Sequence, residues 1–464
     1  MKFLNLAFAL ARFALVAALI PLAIGWRTPL FAGWRYTALA ALLVLPLILI
    51  GFEFWMLRRT RKASHAAPRG LRFVSCATIL LGAVAFGAAA TLEGQFLYKR
   101  HAVLSADAGQ LEKLGRHVLV GYRDPSMLNA LIERRAAAGV FLSALNVEGK
   151  SVVAVGQEVA AMQDIRRRQK LDPLWIATDQ EGGAVSRLSP PLARMPALAE
   201  IVALHRDQAE RQLAVAQYAA RQGRELASMG VNLNFAPVVD LNHGIVNPDD
   251  RLSRIASRAI SSDAAVVTDV ARRYCATLLM TGVHCTLKHF PGLGRVYDDT
   301  HKVTAQLDAS AAELEASDWV PFRQMMSENA AFTMLGHARL MALDKDRPAS
   351  FSQAVVKEML RENWRHDGVL ITDDFSMGAV TLSREGAAGG AIEALNAGVD
   401  LILVSYDPDQ YFYIMDALLK ADRDGRLRPE MLEASDARLQ RAVSPKPGHS
   451  PRLHSGDSAA NRIH

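Results

Sequence analysis

The apolar residues are unevenly distributed, and the first hundred positions contain the longest apolar runs. Three runs, at about residues 3–25, 36–57 and 73–92, contain almost no charged side chains. A helix needs about 20 predominantly apolar residues to cross a bilayer, and the second and third runs meet this requirement without interruption. We therefore predict that residues 1–99 form a membrane anchor with about three transmembrane helices.

The first run differs from the other two because it contains Arg12. A guanidinium group is costly near the centre of a bilayer unless it reaches the interface, so the ends of this span are left open. A cleaved signal peptide is the alternative for this run, although no convincing small-residue cleavage site follows it. Two further spans remain under either interpretation.

Basic side chains mark the connection between the second and third runs, namely Arg58, Arg59, Arg61, Lys62, Arg69 and Arg72. Short loops rich in Lys and Arg stay on the cytoplasmic side of a membrane. The third span then runs outward, and everything after Lys99 lies across the membrane. The sequence thus predicts a multi-pass membrane protein, in a bacterium one of the inner (cytoplasmic) membrane, whose large domain faces the periplasm or the outside.

Beyond about residue 117, short apolar runs alternate with amphipathic helical stretches. Eight runs are predicted strands: 117–122, 139–145, 174–179, 231–239, 283–289, 332–337, 368–373 and 399–405. This alternation indicates a parallel sheet, and eight units over about 330 residues fit a closed (β/α)8 barrel of the TIM type. A doubly wound open sheet is the alternative, but no glycine-rich dinucleotide-binding motif follows an early strand. We assign 100–441 to the barrel and 442–464 to a disordered tail.

The distribution of charge follows the same division. The chain has 53 Lys and Arg, 47 Asp and Glu and a formal net charge of +6. Twelve of the basic and two of the acidic residues lie in the first hundred positions, which leaves 41 basic and 45 acidic residues for the rest. The predicted globular domain is therefore mildly acidic, which argues against nucleic acid as its partner.

The three cysteines, Cys76, Cys275 and Cys285, are too few for a disulfide framework or a zinc cluster. We interpret Cys275 as helical and Cys285 as part of a strand, both as buried small apolar residues. A bridge between these two is possible, but it is not what we expect.

Charged side chains gather where several predicted strands end. Asp179 ends the third strand, Lys288 and His289 end the fifth, and Asp373 ends the seventh. The active sites of α/β barrels lie at the carboxyl ends of the strands. We therefore expect these groups to meet at one end of the barrel.

Two predicted strands carry polar residues whose direction depends on the alternation of side chains along a strand. Of Asp373 and Asp374, one should face the barrel axis, and we favour Asp373. Asn232 and Asn234 alternate with apolar residues, so we expect both to point into the lumen and to serve a structural role.

Several of these segments form motifs with definite spacing. The most specific is Lys-His-Phe-Pro-Gly-x-Gly-x4-Asp-Thr-His at 288–301, and supporting motifs lie at 179–183, 234–240, 348–352, 371–374 and 397–400. Together they resemble the N-terminal (β/α)8 domain of glycoside hydrolase family 3, and most of all its single-domain bacterial β-N-acetylglucosaminidases. The resemblance covers roughly residues 115–441.

The resemblance implies a retaining mechanism. Asp373 would be the nucleophile that forms a covalent glycosyl-enzyme, and His301 would be the acid/base, paired with Asp299. The residues that would hold the sugar hydroxyls and acetamido group are Asp179, Arg258, Lys288 and His289. Neither a cofactor nor a metal ion is implied.

The implied activity is removal of non-reducing terminal β-linked N-acetylglucosamine, a β-N-acetylhexosaminidase reaction, on peptidoglycan-derived or other cell-envelope glycans. One alternative is a β-glucosidase-type enzyme of the same family with another sugar specificity, and another is a catalytically inactive, membrane-anchored sugar-binding protein. A metal-dependent barrel hydrolase could use an aspartate together with His284, His289, His301 and His337. Such barrels generally carry His-x-His on the first strand, which His117-Val118-Leu119 lacks. No oligomeric state is predicted.

Overall fold

The computed structural model describes residues 2–62, 69–328 and 331–443. It divides into two compact units, Met1–Ser105 and the part of the chain from Ala106 onward. Each unit has a hydrophobic core of its own.

The first unit consists of three long helices: α1 (Lys2–Gly25), α2 (Arg35–Lys62) and α3 (Arg69–Leu104), with a 3-10 turn at Pro29–Phe31. Within them, the stretches long and apolar enough to cross a membrane are Leu6–Gly25, Arg35–Thr60 and Arg69–Leu104. Each predicted span is therefore a helix that fits a membrane anchor. Part of the basic connection between the second and third spans, residues 63–68, lies outside the described residues.

Arg12 is paired inside this helix bundle. Its Nε donates to Glu53 Oε1 at 2.6 Å, and Ser75 Oγ donates to Glu53 Oε2 at 2.7 Å. Glu53 is fully buried, so one carboxylate joins all three helices. The bundle thus offsets the charge of Arg12 internally, which reduces the cost of a guanidinium group within an apolar span.

The second unit is a closed barrel of eight parallel strands. They are β1 (Val118–Gly121), β2 (Gly139–Phe141), β3 (Trp175–Thr178), β4 (Leu233–Asn234), β5 (His284–Phe290), β6 (Phe332–Leu335), β7 (Leu370–Asp374) and β8 (Leu401–Val404). Each strand pairs with its neighbours in sequence, and β1 closes the ring by pairing with β8. Every strand coincides with one of the eight predicted strands. The (β/α)8 prediction is therefore confirmed, and the open-sheet alternative is wrong.

Helices surround the barrel and follow its strands. They are α4 (Ala108–Gly115), α5 (Pro125–Glu133), α6 (Ala144–Val147), α7 (Val152–Arg168), α8 (Leu198–Leu204), α9 (Gln208–Ser228), α10 (Ile255–Arg258), α11 (Ala264–Leu279), α12 (Ala311–Ala316), α13 (Trp319–Ser327), α14 (Gly378–Thr381), α15 (Gly386–Ala397), α16 (Gln410–Arg423) and α17 (Pro429–Val443). The loops also contain 3-10 turns at Leu293–Arg295 and Ala349–Phe351, a π-helix at Ala354–Asn363, and two small strand pairs, Gln180–Gly182 with Val185–Ser186 and Gln306–Leu307 with Arg339–Leu340.

Local sequence sets many helix ends. α9 begins after Asp207, whose carboxylate accepts a hydrogen bond from the backbone N–H of Glu210 at 3.0 Å. The chain leaves this helix at Gly230, whose φ of +78° is in the left-handed region that favours glycine. α11 likewise begins after an aspartate, Asp263, which caps Ala265 N–H at 2.8 Å.

Large apolar side chains fill the lumen, among them Leu119, Phe141, Trp175, Leu233, Phe235, Phe332, Met334, Ile371, Leu401 and Leu403. The last helix, α17, covers one end of this cluster, because Leu439 belongs to it and Ala442 and Val443 pack against it. The rest of the predicted tail, residues 444–464, lies outside the described residues.

The prediction that the side chains of Asn232 and Asn234 point into the lumen is wrong. Leu233 and Phe235 face the lumen, so Asn232 and Asn234 on the same segment face outward. Asn234 Nδ2 donates to the hydroxyl of Tyr274 on α11 at 3.0 Å, and both amides accept hydrogen bonds from backbone N–H groups of β3 or the loop after it. Their role is structural, as predicted, but they join the barrel to its outer layer.

The expectation for the two cysteines of this unit is also wrong. Cys275 in α11 and Cys285 in β5 form a disulfide, with Cα atoms 5.3 Å apart. The turn at Gly282, with φ of +83°, reverses the chain after α11 and returns β5 beside the helix. Both cysteines are buried, as predicted.

Candidate active site

The predicted site residues lie at the carboxyl ends of barrel strands or in the loops that follow them. Lys288 and His289 lie near the end of β5, and Asp373 lies near the end of β7. Asp179 directly follows β3. The remaining members come from the loops: Arg258 from α10 after β4, and Asp299 and His301 from the loop after β5.

β7 sends its two final carboxylates in different directions. Asp374 accepts hydrogen bonds from the N–H groups of Ser376 at 2.9 Å and Tyr406 at 2.8 Å, and from Ser405 Oγ at 2.7 Å. These bonds tie the end of β7 to the loop after β8. Asp373 faces the site and accepts a hydrogen bond from Asp374 N–H at 2.8 Å.

Asp373 is surrounded by imidazoles. Burial acts to raise its pKa, but His289, His337 and His301 act in the opposite direction, and the pKa lies below its ordinary value. His337 is itself fully buried. Burial lowers the pKa of His337, and its Nε2 lies 3.1 Å from the carbonyl oxygen of Asp374. Asp373 is thus kept ionised.

Lys288 lies at the centre of a buried network of charges. Its Nζ is 2.6 Å from Asp179 Oδ1 and 2.7 Å from Glu181 Oε1. Arg258 binds Glu181 through two parallel contacts, Nε to Oε2 at 3.0 Å and Nη2 to Oε1 at 2.6 Å. Burial acts to raise the pKa of Glu181, but the two cations hold that pKa well below its usual range. Glu181 therefore fixes both cationic side chains.

His289 is oriented by Asp240, which is fully buried. The carboxylate accepts from His289 Nδ1 at 2.7 Å and also from the backbone N–H groups of His289 and Leu293. Arg258 Nη2 lies 3.4 Å from His289 Nε2. Because arginine can only donate, these contacts fit a neutral imidazole with its proton on Nδ1.

His301 and Asp299 form the expected pair. His301 Nδ1 lies 2.9 Å from Asp299 Oδ1, and the same oxygen accepts from the backbone N–H of His301 at 3.0 Å. Burial works against ionisation of Asp299, but the hydrogen bonds from His301 lower its pKa to about 2. The side chain of His301 remains 35% exposed, so this imidazole is open to a ligand while its partner is buried.

The loop that carries this pair packs against the turn after β7. Gly378 N–H donates to the carbonyl of His301 at 2.8 Å, and Ala379 N–H donates to that of Thr300 at 3.0 Å. A Cβ on Gly378 would lie 2.3 Å from the carbonyl oxygen of Lys302, so a glycine is required at this contact. The packing brings the imidazole of the β5 loop to the same end of the barrel as the carboxylate of β7.

Residues 106–442 match the glycosyl hydrolase family 3 N-terminal domain. This chain belongs to glycosyl hydrolase family 3. The enzyme class predicted from the sequence, a glycoside hydrolase, is thereby confirmed.

Relatives of this family 3 chain carry a consistent name. A β-hexosaminidase of Xanthomonas oryzae pv. oryzae is 34% identical over 276 residues, which are 59% of this chain and 78% of that protein. The β-hexosaminidase LpqI of Mycobacterium tuberculosis is 30% identical over 346 residues, or 73% and 83% of the two chains. Among solved structures, a β-N-acetylhexosaminidase from Beutenbergia cavernae superposes with a TM-score of 0.63 at 29% identity, covering 73% of this chain and 99% of the other.

Three buried partners in this family 3 site had no predicted role: Glu181, Asp240 and Ser253. The first two lie in segments that the sequence singled out, and the two-residue spacing from Asp179 was an available signal for Glu181. Ser253 lies in a charged loop where no pattern marks it. Within the described ranges, no group of three or more His, Cys, Asp and Glu residues could hold a metal ion, so the metal-hydrolase alternative gains no ligand set there.

Proposed function

We propose that this family 3 enzyme removes non-reducing terminal β-linked N-acetylglucosamine by a retaining mechanism. The observation that carries the proposal is a half-buried, ionised Asp373 at the same barrel end as a partly exposed His301 that is hydrogen-bonded to Asp299. The specificity rests on the β-hexosaminidase relatives. A retaining glycosidase needs a nucleophilic carboxylate and a group that gives and then takes a proton.

In the first step, Asp373 attacks the anomeric carbon and the bond from that carbon to the leaving oxygen breaks. His301 donates its Nε2 proton to the leaving oxygen, while Asp299 holds Nδ1. In the second step, His301 takes a proton from water, whose oxygen attacks the anomeric carbon and releases Asp373. Imidazole suits both steps near neutral pH, and as a neutral base it adds no second anion beside the nucleophile.

The charge network supplies the sugar contacts in this proposal. Lys288 occupies one oxygen of Asp179, whose side chain is still 23% exposed, so the other oxygen can accept from a sugar hydroxyl. Lys288 and Arg258 donate to hydroxyl or acetamido oxygens, and Nε2 of His289 accepts from a sugar hydroxyl. Because Glu181 and Asp240 already fix these three side chains, little ordering is needed on binding.

A direct test uses the purified full chain in detergent with p-nitrophenyl N-acetyl-β-D-glucosaminide. We expect release of p-nitrophenol and no comparable release from p-nitrophenyl β-D-glucoside. Preference for the glucoside would favour the alternative sugar specificity. No turnover of either substrate, with binding of N-acetylglucosamine retained, would favour the inactive sugar-binding alternative. A panel of muropeptides and chitin oligosaccharides then tests the proposed cell-envelope substrates.

We further propose that the barrel lies outside the cytoplasm. The basic residues between the second and third spans favour a cytoplasmic connection there, which leads the third span outward. The disulfide between Cys275 and Cys285 supports the same side, because disulfides persist mainly in oxidising compartments. Two independent features, loop charge and thiol chemistry, thus agree.

Two measurements test this location. A C-terminal alkaline phosphatase fusion should be active, whereas a fluorescent-protein fusion that matures in the cytoplasm should mark the opposite orientation. In protein isolated with thiols trapped and then denatured, Cys275 and Cys285 should resist alkylation until a reductant is added. An inactive phosphatase fusion together with two freely alkylated thiols would contradict the proposal.

A further inference from the structure

Ser253 links the loop after β4 to the Asp299–His301 pair. Its Oγ lies 3.0 Å from Asp299 Oδ1 and 3.2 Å from His301 Nδ1, and the residue is 5% exposed. We propose that Ser253 is a positioning residue that fixes the tautomer and orientation of His301 through Asp299. This inference rests on the proposed acid/base role of His301.

The position of each proton follows from the contacts. Asp299 Oδ1 faces three donors: His301 Nδ1–H, the backbone N–H of His301, and the hydroxyl of Ser253. An ionised carboxylate can only accept, so the hydroxyl proton points to Asp299. A lone pair of Ser253 Oγ then faces His301 Nδ1 and favours a proton on that nitrogen. Nε2 is left to exchange the catalytic proton with substrate and water.

The other oxygen of Asp299, Oδ2, accepts none of these three hydrogen bonds. Oδ2 is buried and accepts no hydrogen bond from the described part of the chain, and Lys302 Nζ is 3.8 Å away. All the hydrogen bonds that fix the carboxylate therefore converge on Oδ1. Removal of the serine hydroxyl would leave both remaining donors on His301 itself, so the pair could rotate together.

The backbone of Ser253 is fixed independently of its hydroxyl. Its N–H donates to Asp250 Oδ1 at 2.8 Å, and its carbonyl accepts from Arg258 Nη1 at 2.8 Å. Asp250 also accepts from the N–H of Arg254 at 2.7 Å. A Ser253→Ala variant should therefore keep the loop in place and lose one hydrogen bond to a charged acceptor.

Ser257 provides a matched control. It lies four residues further along, is exposed, and its Oγ donates to the carbonyl of Arg254 at 2.8 Å. Ser257→Ala removes the same atom from the same loop without touching the acid/base pair.

The experiment compares two leaving groups with the full-length enzyme. A 2,4-dinitrophenyl N-acetylglucosaminide needs no proton to depart, whereas an N-acetylglucosamine disaccharide does. We expect Ser253→Ala to lower kcat/KM about tenfold for the disaccharide and less than about twofold for the activated glycoside. Ser257→Ala should leave both values within about twofold. In an Asp299→Asn background, Ser253→Ala should add no further loss if it acts through Asp299.

Two outcomes would overturn the inference for Ser253 alone: an unchanged disaccharide rate in Ser253→Ala, or an equal loss on both substrates, which a merely structural role predicts. An undiminished additional loss in the Asp299→Asn background would also contradict action through that carboxylate. A wild-type enzyme that hydrolyses neither substrate would instead overturn the proposed function, so the two failures are distinguishable.

Discussion

Each end of the barrel contains an aspartate that is held ionised, but the groups around these two aspartates differ. At the amino end, before β8, Asp400 Oδ1 accepts from Arg438 Nε at 2.8 Å, and Oδ2 accepts from Arg361 Nη2 and Leu370 N–H, each at 2.7 Å. Burial acts to raise the pKa of Asp400, but the two guanidinium groups act more strongly in the opposite direction, and the pKa lies below its ordinary value. Each oxygen of this carboxylate already has a strong donor within the protein.

At the carboxyl end, the proposed nucleophile has fewer partners. Within the described residues, the Asp373 side chain accepts a hydrogen bond from Asp374 N–H at 2.8 Å. The imidazoles around it lower its pKa without saturating its oxygens. A saturated carboxylate stabilises the fold, whereas an ionised and undersaturated one is available to react. Both carboxylates are held ionised, so charge does not separate the two roles. Asp400 is fully buried and both its oxygens are satisfied, whereas Asp373 is half-buried and has fewer hydrogen bonds.

The largest effect is expected for Asp373→Asn, which removes the proposed nucleophile at the carboxyl end of the barrel. We expect kcat on p-nitrophenyl N-acetyl-β-D-glucosaminide to fall on the order of 10⁴-fold, because the nucleophile is lost. The free energy of unfolding should fall by no more than about 1 kcal/mol, since few hydrogen bonds change. Steady-state kinetics and denaturant unfolding measure the two effects. A variant that is strongly destabilised, and whose folded fraction keeps the wild-type kcat, would contradict the assignment.

Asp299→Asn tests the second half of the site. An amide cannot fix the Nδ1–H tautomer of His301 as a carboxylate does, so we expect kcat/KM on a disaccharide to fall on the order of 10³-fold. The loss should be much smaller for the 2,4-dinitrophenyl glycoside, which needs no acid. Full activity on the disaccharide would show that the pair is not the acid/base.

Asp400→Asn is the matched change at the other end. It removes the buried counter-charge of Arg361 and Arg438 and leaves the exposed Asp367, 3.7 Å from Arg438, as a weaker partner. We expect a loss of about 3 kcal/mol in the free energy of unfolding. Activity per folded molecule should stay within about twofold of wild type. The measurement is denaturant unfolding of the full chain, with active-site titration of the folded fraction. A catalytic defect without loss of stability would remove the distinction between the ends.

The smallest effect concerns pH. The folded pKa of Asp400 is depressed below its reference value of 3.8. Its contribution to stability is therefore present above that value and is lost as pH falls through the folded pKa. Between about pH 5 and about pH 3, wild type should lose more stability than Asp400→Asn. Equal slopes in the two proteins would show that this carboxylate is not held ionised by the fold.

The sequence predicted the barrel well because near-continuous apolar runs locate strands without tertiary information. It also placed Asp179, Lys288 and Asp373 at one end, since the carboxyl ends of parallel strands converge. It failed for Asn232 and Asn234 because a strand pattern gives the alternation of faces but not which face is the lumen. In the structure, the apolar neighbours of these asparagines fill that space.

The remaining errors have another origin. The disulfide between Cys275 and Cys285 depends on the reversal of the chain between α11 and β5, which residue type alone did not reveal. The contact of Ser253 with Asp299 joins the loops after two different strands. Such contacts between loops have no periodicity, so a single sequence carries little signal for them.

The most direct test of the central claim is to trap the covalent intermediate. A slowly hydrolysed, fluorinated N-acetylglucosaminide would be incubated with the full chain, and its proteolytic peptides analysed by mass spectrometry. The account predicts one added sugar on the peptide that contains Asp373, and none in Asp373→Asn. Attachment to another residue, or turnover with retained stereochemistry and labelling unaffected by Asp373→Asn, would contradict it.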